Sequence, residues 1–133
     1  MSIKIYIFAI IFLTIIDAIW IYINKYTYNT LVKGIQGSDM KLNIYGALIA
    51  YPLMYMGLIL FIFPLIKNDP SKNKLILALK YGGLFGLIIY GVFNATNLAM
   101  FTNYNIFIAL KDTMWGTFAY FITTYVTLMI FNI

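Results

Sequence analysis

The residues in this chain best placed to do chemistry are two copies of one short motif, Asp-x-x-Trp. They are Asp17-x-x-Trp20 near the start and Asp112-x-x-Trp115 near the end, each inside an apolar stretch. A carboxylate in hydrocarbon is costly, roughly 2.5–3.5 kcal/mol at the bilayer centre on insertion scales. The chain has only four acidic residues, all Asp, and places two of them in these stretches. Intramembrane acids of this kind can carry a proton, bind a cation or hold the amine of a small ligand or lipid headgroup. The competing reading is structural: a protonated Asp hydrogen-bonds to Asn94, Asn97 or a backbone carbonyl and fixes helix register.

Other polar residues share the depth of this pair. Asn94 and Asn97 either complete a ligand site or act as inter-helix hydrogen-bond glue, worth on the order of 0.6 kcal/mol per bond. Trp20 and Trp115 suit the wall of a pocket, where an aromatic face attracts a cation, and equally an interfacial belt. Among 12 tyrosines, depth and face single out Tyr51 and Tyr90. Lys111 adjoins Asp112 in sequence, yet consecutive residues point about 100° apart around a helix, so the two need not pair.

Composition limits the alternatives. With 133 residues, 63% hydrophobic and 10% charged, the chain lacks the roughly 25% charged residues that coat a soluble domain. That implies an integral, multi-pass membrane protein. There is no Cys and no His, which removes disulfides, thiol catalysis and imidazole bases. A metal would find only Asp and amide oxygens, so neither a metal nor a cofactor is expected. The net charge of +5 comes from lysines in the connections between apolar segments, where they orient membrane proteins; it does not call for nucleic acid. The chain contains no potassium-filter sequence and no phosphate-binding Gly-rich loop.

About 20 apolar residues span a bilayer, and four segments qualify: 3–23, 44–66, 75–99 and 106–131. The first reads as a retained helix rather than a leader, because it holds Asp17 and Trp20 and no small-residue cleavage site follows. In the long first connection Tyr28, Leu31, Val32 and Ile35 form one apolar helical face, which predicts a short interfacial helix broken at Gly34, Gly37 and Ser38. The fold class is therefore an all-α integral membrane protein, a four-transmembrane-helix bundle forming one domain over 1–133. Lys4, Lys67, Lys72, Lys74 and Lys80 lie on the side of the termini, against Lys25, Lys33, Lys41 and Lys111. This small excess places both termini in the cytoplasm.

Helical spacing gathers the polar groups. Thr14, Asp17 and Trp20 share a stripe. Gly83, Gly86, Tyr90, Asn94 and Asn97 form a second, and Asp112, Gly116, Ala119, Thr123 and Thr127 a third. Small residues, including the Gly82-x-x-x-Gly86 spacing, let membrane helices approach closely, so these are the inward faces. They are also the faces a homo-oligomer would use. Pro52 predicts a kink that frees a carbonyl near Tyr51 and Tyr55.

These residues together — Asp17-x-x-Trp20, Tyr90-x-x-x-Asn94-x-Thr96-Asn97-x-Ala99 and Asp112-x-x-Trp115-Gly116 in four apolar segments — resemble the predicted-membrane-protein family called domain of unknown function 2177. The likeness covers nearly the whole chain and implies a topology and a motif set rather than an activity. The family pattern has Asp where this chain has Asn94, a change that polar binding tolerates better than chemistry needing three acids. The residues favour binding or translocation of a proton, cation or small polar or amine ligand. The alternatives are a membrane-embedded enzyme acting on a lipid or apolar substrate through two Asp of split acidity, and a structural or assembly subunit.

Overall fold

A computed structural model describes residues 1–133 and contains four helices and no strand: α1 (Ile3–Gln36), α2 (Ile44–Asn68), α3 (Lys74–Met100) and α4 (Ile106–Ile130). Asparagine starts three of them. The Asn43 side chain accepts from the Tyr45 and Gly46 amides, Asn73 from Ile76, and Asn105 from Phe107 and Ile108. Each cap fills backbone donors that the first helical turn leaves free. Gly37 ends α1 at φ 77°, its amide reaching the Lys33 carbonyl; a left-handed residue there suits glycine.

The expected interfacial helix is not a separate element. α1 runs unbroken for 34 residues through Gly34 to Gln36, about 51 Å, against a hydrocarbon core of roughly 30 Å. A single helical glycine costs only about 1 kcal/mol relative to Ala, and a long, anchored helix absorbs that. The far end is tied down: Asn29 donates to Asp39 and accepts from the Met40 amide, and Asn103 donates to the Gly34 carbonyl. The other boundaries fall within one or two residues of expectation.

Only 25 of 133 residues are buried, while Ile7, Ile11, Ile15 and Ile19 form an exposed apolar ridge along α1. So much outward apolar surface suits lipid rather than water. α1, α2 and α3 are each long and apolar enough to cross a membrane; α4, equally inward in its packing, falls outside that class. Its face carries Thr113, Thr117, Thr123, Thr124 and Thr127, which lower its hydropathy. Four of these hydroxyls bond to carbonyls four residues back, so they enter the bundle without seeking outside partners. Thr123 Oγ1 alone is buried without a partner.

α3 and α4 pack most closely, along the predicted small-residue stripes. A Cβ on Gly86 would strike the Gly116 backbone, and one on Gly116 would strike the Tyr90 ring. These glycines are therefore occupied inside the bundle. α2 and α3 each widen over one turn, at Gly57–Ile62 and Ala78–Gly83, where amides bond five residues back (Phe63 to Leu58, Leu84 to Leu79). Such turns mark places where a neighbour presses in; Phe85 lies against Gly57, and Thr124 against Gly82. The carbonyl that a side chain takes on α2 is Met54's, bonded by the Tyr120 hydroxyl at 3.0 Å, two residues beyond Pro52. Lys74 bonds Asn132 and Phe8 packs on Phe131, so both termini and the α2–α3 turn share one end.

Candidate functional site

All four helices place polar side chains at one level. α1 presents Thr14, Asp17, Trp20, Asn24 and Tyr28 on a single stripe spaced 3-3-4-4. α2 brings Tyr51 and Tyr55, α3 brings Tyr90 and Asn94, and α4 brings Asp112 and Trp115. Asp17 and Asn94 are 6% and 2% exposed, so both need partners.

The two Asp-x-x-Trp motifs are wired into each other. Asp17 Oδ1 accepts from the Trp115 indole at 3.2 Å, and its Oδ2 accepts from the Tyr51 hydroxyl at 3.0 Å. Asp112 Oδ1 accepts from the Tyr28 hydroxyl at 2.6 Å, and its Oδ2 from the Asn94 amide at 2.7 Å. Tyr28 in turn accepts from the Trp20 indole at 2.8 Å. Each Trp thus serves the other motif's acid, directly or through one hydroxyl. The indole rings lie face to face, centroids 4.5 Å apart and 1° from parallel. Asn94 is oriented at both ends, donating to the Tyr90 carbonyl and accepting from the Tyr104 hydroxyl.

Indole and amide N–H groups can only donate, and the Tyr28 oxygen, already accepting from Trp20, has its proton left for Asp112. All four carboxyl oxygens therefore receive one neutral donor each, the pattern that suits a carboxylate. No ammonium lies within ion-pair distance of either acid; the ion pairs are Lys33–Asp39 and Lys80–Asp69. Lys111 turns away to Asn24 Oδ1 at 2.6 Å, with its nitrogen 5.3 Å from the Trp20 ring centre. The two acids, both Trp rings, Tyr28 and Tyr90 line one cavity of about 300 Å³. No group of three or more His, Cys, Asp or Glu side chains comes together here.

Asp17, Asp112, Asn94, Trp20, Trp115, Tyr51 and Tyr90, singled out from sequence, all meet here. Asn97 stands at the edge of the network, beside the Tyr104 hydroxyl, and lines a neighbouring cavity of about 490 Å³. Sequence reading passed over Tyr28, Asn24 and Tyr104. Continuing the Thr14–Asp17–Trp20 stripe by two more steps of four reaches Asn24 and Tyr28, so a signal was present. Tyr104 sits in the α3–α4 turn, where periodicity says nothing.

The family model described as "Predicted membrane protein (DUF2177)" matches residues 2–129. No curated protein and no solved structure matches the chain. The match spans nearly the whole sequence, and the chain belongs to that family.

Proposed function

We propose that this DUF2177 member binds a small organic cation, an amine, between Asp17 and Asp112. One observation carries the reading: two carboxylates wall a single cavity, each oxygen holds a neutral donor, and neither acid has a cationic partner. Two carboxylates without an ion-pair partner in a largely apolar site are unfavourable unless something positive joins them. An ammonium supplies that charge and up to three N–H donors, and the aromatic walls suit its apolar body. The donor pattern favours a bound cation over a resident proton at Asp112, whose partners are the Asn94 amide and a Tyr28 hydroxyl already accepting from Trp20. The lysine excess near the termini supports a cytoplasmic location for that end.

Both tryptophans of the chain belong to this network, so intrinsic Trp emission reports on it alone. Titration of the protein in lipid nanodiscs with ethylammonium is expected to give a saturable change that ethanol does not reproduce. In Asp17→Asn the affinity is expected to fall tenfold or more, the scale of losing one charged hydrogen bond of about 1.5–3 kcal/mol. Equal responses to ethanol and ethylammonium would refute the reading.

A further inference from the structure

A second cavity shares part of its wall with the first. Ile21, Tyr28, Phe93 and Asp112 line both, so the Asp112 carboxylate stands at their junction. Beyond that point the walls stay largely apolar: nine of twelve lining residues are hydrophobic, against eight of ten in the first cavity, and Leu31, Val32, Ile35 and Phe101 are among them. Along α1 this lining runs from Ile21 to Gln36, about 22 Å at 1.5 Å per residue.

Its position relative to the bilayer matters. The exposed tyrosines Tyr22, Tyr26 and Tyr45 and Lys25 mark the level of the membrane surface on this side. A hydrocarbon core of about 30 Å starting at Ile3 ends near the same residues. Most of the second cavity therefore lies beyond the core, walled by the part of α1 that projects from it. Within lipid an apolar cavity gains nothing from apolar contents, since the surroundings are equally apolar. Facing water, the same cavity is stabilised by whatever apolar group fills it.

We infer that the ligand is an amphiphile: a cationic head held between Asp17 and Asp112, continuous with a linear apolar tail lying in the groove along Leu31, Val32 and Ile35. This rests on the amine reading of the first cavity and extends it to the ligand's other half. Charge fixes the direction: Asp112 is the one carboxylate lining the groove and is shared with the first cavity, whereas the α1 wall beyond it carries Leu31, Val32 and Ile35 and ends at Gln36.

The test compares ethylammonium with n-hexylammonium by Trp fluorescence in nanodiscs, corrected with empty nanodiscs. Burying one methylene is worth about fourfold in affinity. Four additional methylenes, partly buried, are expected to raise affinity at least about 30-fold. In the double variant Val32→Phe/Ile35→Phe, which fills the groove and touches neither acid, the advantage should fall below about threefold, less than one methylene's worth, with ethylammonium affinity unchanged. Val32→Ser/Ile35→Ser, which makes the groove polar without added bulk, should act alike and serves if the bulky variant misfolds. Ethylammonium binding with no gain for hexylammonium overturns the tail inference and leaves the amine site standing. A gain retained in both groove variants also overturns it, placing the tail in the bilayer. Failure of both probes to bind the wild type defeats the amine reading itself.

Discussion

Removing the Tyr28 hydroxyl is the most informative perturbation of the network, because one oxygen joins the two motifs. It accepts from Trp20 at 2.8 Å and donates to Asp112 at 2.6 Å. In Tyr28→Phe the charged bond to Asp112 is lost, worth about 1.5–3 kcal/mol, and the Trp20 indole keeps an unpaired N–H at about 1 kcal/mol. The better burial of a ring without a hydroxyl offsets part of this, so a net loss of about 2–3 kcal/mol is expected. Reversible denaturant unfolding in mixed micelles, followed by Trp emission, measures it. Tyr26→Phe is the control, since Tyr26 is 81% exposed and such surface changes fall within about 0.5 kcal/mol. A double-mutant cycle with Asp112→Ala, which leaves the Tyr28 hydroxyl no side-chain partner at that position, isolates the pair and should show coupling of at least about 1 kcal/mol. A Tyr28→Phe cost no larger than the control, or additive double-mutant energies, would refute the cross-wired network.

Three further outcomes follow from the packing and the charges. Gly86→Ala drives a Cβ into the Gly116 backbone and should cost about 1–3 kcal/mol or more in unfolding experiments, whereas Gly34→Ala, with open space around it inside an unbroken helix, should stabilise by about 0.5–1 kcal/mol. Gly37→Ala, at φ 77°, should destabilise by roughly 1–2 kcal/mol, a contrast with Gly34 that checks where α1 ends. At the opposite end, the Lys80 ammonium first, then the Tyr81 hydroxyl and the Ser71 amide, hold the Asp69 carboxyl well below the usual carboxylate range. A carboxyl depressed on folding contributes stability that is present above its unfolded value of about 3.9 and is lost as pH falls below it. Wild type should therefore lose stability from about pH 4 downwards more steeply than Asp69→Asn, as a melt series across pH would show.

The inward faces were legible because small residues on a helix have one dominant use in a membrane. Gly82, Gly86, Gly116 and Ala119 share the stripes that carry Asn94 and Asp112, and the structure closes α3 on α4 along them. The tie between Asp17 and Tyr51 was foreshadowed by common depth alone. What escaped was the outer third of α1. A rule of 20 residues per span stops at Ile23, and the next residues, Asn24 and Lys25, look like a loop, so Tyr28 was read as part of a surface helix instead of a partner of Asp112. Gly34 reinforced that error, since its cost of about 1 kcal/mol in a helix is too small to act as a stop signal. α4 qualified as a span from sequence, yet it falls outside the class of helices apolar enough to cross a membrane. Its threonines depress hydropathy while their hydroxyls are satisfied within the helix, so composition understates how well it suits the bundle. The pairing of each Trp with the other motif's acid depends on side-chain rotamers and on helix rotation, neither of which spacing encodes.

The central claim is that Asp17 and Asp112 are kept for a bound cation and not for folding. It is tested most directly by measuring, on the same nanodisc samples of wild type, Asp17→Asn and Asp112→Asn, both thermal stability and ethylammonium binding. An amide can still accept from the indole or donate to a hydroxyl, and it sheds a charge that costs roughly 2.5–3.5 kcal/mol in hydrocarbon. The account predicts variants as stable as wild type or more so, with ethylammonium binding lost. Variants clearly destabilised at every pH that still bind ethylammonium as wild type does would contradict it and make the acids packing elements.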